Sequence, residues 1–207
     1  MRDLLKIVKL TDISSLSLFQ KFCFKLLNAN SHKDFSQKLI TKQKSNSRAT
    51  GDLQDRIINS QEFLDVTSDL AFRKLASKLM VVPLEDVKII VPFFRIDLPQ
   101  HFRGEEEKMS LPWHQEAAYY LSKGNCTPDS IVLSTMMHDC ELKNGALHVG
   151  SKMQKNIVDH DSFFKDKNKK NFFRVECPEP KETIVAESKF GEVVAFDFKR
   201  PHRSGEN

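Results

Sequence analysis

The sequence predicts a mainly β fold that is preceded by N-terminal helices. Before residue 82, apolar side chains recur at three- and four-residue steps, which is the spacing of amphipathic helices. After Pro83, the apolar residues instead form short runs separated by turn-forming residues, which is typical of β-strands. A chain of 207 residues is long enough for one domain with its own core. We therefore expect a single domain over residues 1–207, helical in 1–82 and β in 83–207.

The N-terminal part contains two groups of apolar residues at helical spacing, so we expect two or more helices there. Between the groups lies the polar stretch 41–52, TKQKSNSRATGD, which indicates a mobile loop or linker. The first group is Leu16, Phe19, Phe22, Cys23, Leu26 and Leu27, and the second is Leu53, Ile57, Leu64, Leu75 and Leu79.

Seven short segments have the composition of strands, and most have no helical pattern between them. This arrangement favours a sandwich or barrel over βαβ units. We expect two facing sheets of mainly antiparallel strands, with the N-terminal helices packed on the outside. A longer insertion at 163–173 interrupts the series. The predicted strands are 87–96, 110–121, 130–137, 146–149, 174–177, 183–186 and 192–198.

The composition is that of an ordinary soluble protein, with 40% apolar and 29% charged residues and a net charge of +4. The longest apolar runs fall short of a membrane span or a signal-peptide core, so we expect a cytoplasmic protein with no membrane partner. The basic stretch 165–170 lacks interleaved aromatic residues, and we expect no nucleic-acid partner. Four cysteines without CxxC spacing indicate reduced thiols rather than a zinc knuckle.

A candidate metal site begins in the stretch LPWHQEAAYY. If this segment is extended, His114 and Glu116 point to the same side, because strand side chains alternate between faces. A third ligand, His202, follows the apolar strand in GEVVAFDFKRP. Two histidines and one carboxylate leave open coordination positions, as non-haem iron(II) requires. We expect the three donor atoms to lie within about 4 Å of one another.

A His-x-Glu triplet alone is weak evidence, because it arises often by chance and usually forms a surface pair. Three other histidines, His138, His148 and His160, are alternative metal ligands. None of them lies two residues from a carboxylate within a predicted strand, so we interpret them as structural or exposed.

Four segments in order give the triplet its context: FFRIDLP, LPWHQE, ELKNGAL, and GEVVAFDF leading into PHRSGEN. Over residues 87–207 the chain resembles the phytanoyl-CoA dioxygenase-like family. The resemblance implies a double-stranded β-helix core of the jelly-roll or cupin-like kind, with iron(II) and 2-oxoglutarate as cofactor and cosubstrate. It places the iron ligands at His114, Glu116 and His202, and a contact to the 2-oxoglutarate carboxylate at Ser204.

The chain also departs from the family. Glu116 stands where the family usually has Asp, which lengthens the reach but keeps the donor atom. The family's arginine partner for the far carboxylate of 2-oxoglutarate would fall on the next strand, and the sequence stops at Asn207 before reaching it. Either the sequence is truncated, which we expect, or the cosubstrate site is incomplete. For Arg95 two interpretations stay open, a contact to 2-oxoglutarate or an exposed arginine near a sheet edge.

The resemblance implies a dioxygenase that hydroxylates a small-molecule substrate with dioxygen and releases succinate and carbon dioxide. A carboxylate at Glu116 favours hydroxylation, because related halogenases leave that position open for halide. Two alternatives remain: a non-catalytic barrel-fold protein for binding or regulation, and a cupin-type metal enzyme that does not use 2-oxoglutarate. The sequence leaves the substrate, the oligomeric state and the role of the N-terminal helices open.

Overall fold

The computed structural model describes residues 3–99, 111–120, 127, 129–159, 161–164 and 173–205, with only the backbone of 161–164 and 173–175. Within these residues the helices are α1 Ser14–Leu26, α2 His32–Ser45, α3 Ala49–Ile58, α4 Gln61–Thr67, α5 Leu70–Met80 and α6 Glu116–Tyr120. The strands are β1 Leu5–Lys9, β2 Ile131–Thr135, β3 Leu147–Gly150, β4 Asp161–Phe164, β5 Phe173–Glu176, β6 Thr183–Ala186, β7 Glu192–Asp197 and β8 His202–Arg203.

Helices α1 to α4 form a layer around one apolar cluster, and the three- and four-residue periodicity predicted α1, α3 and α4. The entry points of two helices are fixed by serine caps: Ser31 Oγ accepts from the Asp34 N–H at 3.2 Å, and Ser60 Oγ from the Phe63 N–H at 3.1 Å. None of the described helices is both long and apolar enough to cross a bilayer. The cluster contains Leu16, Phe19, Cys23, Leu27, Leu39, Leu53, Ile57, Phe63, Val66 and Leu98.

The predicted loop at 41–52 is mostly helical, so this expectation is wrong. Helix α2 continues to Ser45 and α3 begins at Ala49, which leaves only a short turn between them. Lysine and glutamine are good helix formers, and α2 is anchored to the cluster by the buried Leu39 and by Phe35 and Ile40, which are partly buried against it. A polar composition therefore marks an exposed helix here rather than a linker.

Two three-stranded antiparallel sheets, in the orders β1-β7-β2 and β6-β3-β8, enclose a second apolar cluster. The antiparallel pairing was predicted. The cluster takes Val194 and Phe196 from the first sheet and Val149 and Ala186 from the second, so the sheets share a core. Strands β4 and β5 pair separately as an antiparallel ribbon.

Alternation along β7 places the helices outside this core. Val194 and Phe196 point between the sheets, whereas Val193 packs with Leu10 and with Leu75 of α5. The first sheet is therefore covered on both faces, and β7 is buried along most of its length. This explains why the four central residues of β7, VVAF, are all apolar.

Two predicted strands are absent from the described chain. Residues 87–96 follow a 3₁₀ turn at Leu84–Asp86 and join no sheet among the described residues; instead Phe94, Ile96 and Leu98 pack on the helical cluster, and Pro92 has no N–H to offer a ladder. Residues 111–120 contain one isolated β-bridge and then α6.

Helices also occupy more of the described chain than strands do, so "mainly β" describes the core but not the proportions. Three short strands, β1, β4 and β8, were not predicted. The other strands agree with the prediction to within one or two residues, and β6 coincides with it.

Candidate metal centre

The candidate site is built on a pairing between two distant segments. His114 and His202 form an antiparallel bridge in which each backbone N–H donates to the other's carbonyl, at 3.0 and 2.9 Å. Directly opposed residues of an antiparallel pair project their side chains to the same face. The two imidazole rings accordingly lie with their centroids 4.2 Å apart.

The orientation of both rings is set by the backbone. The Nδ1 of His114 lies 2.7 Å from the Pro112 carbonyl, and the Nδ1 of His202 lies 3.1 Å from the Arg200 carbonyl. Because a carbonyl oxygen can only accept, each Nδ1 carries the proton and donates. In a neutral ring held this way the lone pair is on Nε2, which is the form that ligates a metal.

Both Nε2 atoms face the carboxylate of Glu116. Its Oε1 lies 3.5 Å from His114 Nε2 and 3.6 Å from His202 Nε2, and the three donor atoms lie within 4.8 Å of one another. Ligands of one octahedral metal at about 2.1 Å lie about 3 Å apart, so the observed set is slightly wider than a closed coordination sphere. Among the described residues this is the only group of three His, Cys, Asp or Glu side chains with such spacing.

Glu116 reaches this point differently from the prediction. It is the first residue of α6 rather than part of a strand, so the alternation of strand faces does not place it. The chain leaves the bridge at His114 and turns into the helix, and the longer glutamate side chain spans back to the two imidazoles. The predicted grouping of the three residues agrees with the structure, but its predicted geometric cause is wrong.

The electrostatics of the three residues suit a cation. Burial, together with the neighbouring His202, lowers the pKa of His114, whose side chain is 1% exposed. Burial raises the pKa of Glu116, but its interactions with His114 and His202 outweigh this and lower the pKa to about 2. His114 Nε2 is buried and has no hydrogen-bond partner among the residues that the structure describes. Two imidazole nitrogens and an ionised carboxylate thus converge, a set of donor atoms that fits a divalent metal.

The other two predicted site residues, Ser204 and Arg95, make their contacts with residues outside this cluster. The Ser204 N–H donates to the Leu111 carbonyl at 3.3 Å, which continues the pairing between the two ligand-bearing segments. Arg95 forms an ion pair with Asp97, Nε to Oδ1 at 2.7 Å, in the segment that packs on the helical cluster. No contact joins Arg95 to the three candidate ligands among the described residues. The roles of Ser204 and Arg95 stay predictions.

Sequence reasoning missed Arg200, which is buried next to the site with 1% of its side chain exposed. Its Nε donates to the Leu4 carbonyl at 3.1 Å, its Nη1 to the Gly150 carbonyl at 2.6 Å, and its Nη2 to the Asp3 carboxylate. The guanidinium therefore joins the start of β1 and the end of β3 to Arg200. The backbone carbonyl of this same arginine orients His202. The only sequence signal was its place in the segment KRPHRSG.

Two antiparallel sheets around a shared core, with two histidines and a glutamate gathered beside it, are the features of the iron- and 2-oxoglutarate-dependent oxygenase class. The chain belongs to the phytanoyl-CoA dioxygenase (PhyH) family, whose sequence model matches residues 15–207. This confirms the resemblance seen in the sequence. Iron(II) and 2-oxoglutarate are the cofactor and cosubstrate of this family, as predicted.

Solved structures agree with the family assignment at the level of the fold. The crystal structure of EvdO2 from Micromonospora carbonacea var. aurantiaca is similar, with a TM-score of 0.56 and 16% identity over 99% of this chain and 80% of that one. A crystal structure of EvdO2 complexed with 2-oxoglutarate gives the same values. No curated protein matches the chain.

Proposed function

We propose that this chain hydroxylates a small-molecule substrate, using dioxygen and 2-oxoglutarate and releasing succinate and carbon dioxide, with His114, Glu116 and His202 as its iron ligands. One observation carries the proposal: two buried imidazoles, each fixed through Nδ1 by a backbone carbonyl, direct their Nε2 lone pairs at an ionised carboxylate. Two histidines and one carboxylate suit non-haem iron(II) with open positions.

When bound, iron supplies the activation of dioxygen, which no side chain can supply. The protein's own contribution is to hold and orient the ligands. His114 and His202 are held by the backbone bridge and by their Nδ1 bonds. As a ligand, Glu116 would fill the position that related halogenases leave open for halide, and this supports hydroxylation over halogenation.

Ser204 and Arg95 are the proposed contacts to 2-oxoglutarate. Ser204 follows His202 by two residues and lies one residue past β8, and an extended backbone there would put it on the same face as His202. Arg95 would have to exchange Asp97 for the cosubstrate carboxylate, because its guanidinium already pairs with Asp97. Of the two, Ser204 therefore needs less rearrangement.

The first test is anaerobic titration of the chain with iron(II) and then 2-oxoglutarate, followed by a measurement of succinate release in air. We expect one iron per chain, with binding lost in His114→Ala and retained in the control His138→Ala. In protein extended past Asn207 to the expected family arginine, iron binding without any response to 2-oxoglutarate would contradict the oxygenase proposal and favour a non-catalytic or cosubstrate-independent metal protein.

The second test compares Ser204→Ala with Arg95→Ala in 2-oxoglutarate affinity at saturating iron. We expect Ser204→Ala to weaken binding about tenfold, the effect of losing one hydrogen bond to a charged group. If Arg95→Ala also weakens it, the Arg95–Asp97 pair must open when the cosubstrate binds. Equal affinities in both variants and the wild type would remove both residues from the proposed site.

A further inference from the structure

Gln115 lies between two of the proposed ligands and is fully buried, with 0% of its surface exposed. Its side-chain nitrogen donates to the carbonyls of Lys199 and Asn156, the latter at 3.2 Å, and its side-chain oxygen accepts from the Val158 N–H at 2.8 Å. All three of these partners are backbone groups of other segments. The amide therefore joins its own segment to two different parts of the chain.

One of these contacts replaces a missing backbone bond. The segments that carry His114 and His202 pair through their backbones at the bridge, and the Ala117 N–H donates to the Phe198 carbonyl at 3.1 Å. Between those points the chain turns into α6, so regular pairing stops. The side-chain N–H of Gln115 supplies the donor to the Lys199 carbonyl there. The two ligand-bearing segments thus stay bonded past the point where the strand ends.

The other contacts of Gln115, together with one of Lys199, are to the segment 155–158. Gln115 bonds to Asn156 and Val158, and the buried Lys199 donates from Nζ to the Lys155 carbonyl at 3.0 Å. Three backbone groups of this short segment are therefore held by side chains next to the proposed ligands. A change at Gln115 would loosen 155–158 and the neighbouring ligands together.

We infer that Gln115 is a positioning residue for the metal centre: its amide fixes the Glu116 carboxylate against His202. The inference rests on the proposed function. Glu116 is the next residue in the chain, and its Oε1 lies at nearly equal distances from the two Nε2 atoms, so rotation of the backbone at Gln115 would spoil both distances. Removal of a group that orients a metal ligand without touching the metal typically weakens metal binding about 10–100-fold.

The test uses cobalt(II), whose visible absorption reports ligand geometry without any turnover. Gln115→Met keeps the length of the side chain and removes its amide. The matched control is Gln20→Met, because the Gln20 side chain also donates to a distant backbone carbonyl, that of Met137, but lies in the helical layer. We expect Gln115→Met to bind cobalt about 10–100-fold more weakly with a shifted absorption band, and Gln20→Met to match the wild type.

The outcomes separate this inference from the proposed function. Wild-type protein that binds no cobalt overturns the proposed function and this inference with it. Wild-type affinity and spectrum in Gln115→Met overturn the inference alone. If Gln115→Met does not fold by circular dichroism, Gln115→Glu decides, since it keeps the acceptor for Val158 and loses the donor. If neither variant folds, Gln115 serves the fold rather than the site, and the inference is overturned.

Discussion

The helical layer and the segments that carry the candidate ligands are each stabilised by a different kind of interaction. The layer depends on apolar packing: Leu16, Leu39 and Ile57 are buried to 1% exposure or less within one cluster. Beside the candidate ligands, three long buried side chains are polar: Gln115, Lys199 and Arg200 all bond to backbone carbonyls. Apolar packing tolerates exchange of one side chain for another of similar volume, whereas these bonds depend on the position of particular atoms. Substitutions in the two regions should therefore damage different properties.

The largest expected effect is at the carboxylate. Glu116→Gln keeps the size of the side chain but removes the negative charge that faces two lone pairs, so metal affinity should fall by more than the roughly 100-fold that a supporting residue costs. Isothermal titration with cobalt(II) measures this. Glu85→Gln, an exposed glutamate in the 3₁₀ turn, is the control and should bind as the wild type does. Unchanged affinity in Glu116→Gln would remove Glu116 from the ligand set.

In the helical layer, Ile57→Ala should cost stability and leave metal affinity unchanged. Ile57 is 0% exposed, and truncation of a buried isoleucine leaves a cavity that typically costs about 2–5 kcal/mol of unfolding free energy. Leu64→Ala is the control, because Leu64 is 58% exposed and its loss should cost less than about 0.5 kcal/mol. Urea denaturation and cobalt titration of both variants test the separation. A large drop in metal affinity in folded Ile57→Ala would break the comparison.

Two glycines, one in each region, test the same difference through the backbone. A Cβ on Gly205 would lie 2.1 Å from the Ala146 carbonyl oxygen, so the backbone just after β8 must move, at a cost of about 1–3 kcal/mol. A Cβ on Gly51, within α3, would meet nothing within 4 Å, and Gly51→Ala should instead stabilise by about 0.5–1 kcal/mol. Thermal unfolding of the two variants should give shifts of opposite sign. A stabilising Gly205→Ala would show that this close approach is not rigid.

The sequence predicted the parts of the molecule that obey local rules. Helical periodicity located α1 and α3 to α5, and short apolar runs located β2, β3, β6 and β7. The candidate ligands were predicted from a short motif and its family context. The features that the sequence did not predict depend on partners far along the chain. Strand β1 pairs with β7, and Gln115 bonds to residues 41 and 84 positions away. Glu116 was placed in a strand because nothing in LPWHQE signals the turn into α6.

The smallest expected effect concerns pH at the contact between the helical layer and the β core. The ring of His32 stacks on His138 with centroids 3.7 Å apart, and burial, with the neighbouring His138, lowers the pKa of His32 from 6.5 to about 4. Unfolded protein therefore binds a proton that folded protein does not in this range, so stability should fall as pH decreases from about 6.5 to about 4. His32 is exposed enough that solvent will reduce the effect.

His32→Gln should remove this pH dependence, and Lys33→Gln on the same helix should not. The measurement is the unfolding free energy in urea at pH values between 4 and 7. Parallel pH curves for His32→Gln and the wild type would show that the stacked pair does not couple protonation to folding.

The contact between Arg200 and the first strand has a consequence for the order of folding. Asp3 and Leu4 meet a residue nearly 200 positions later in the chain, so this loop is one of the last to close. The carbonyl that orients His202 belongs to that same arginine. The metal centre would therefore be completed only when Asp3 and Leu4 have met Arg200. In stopped-flow refolding, metal capture should lag behind the formation of helical signal and coincide with the last kinetic phase.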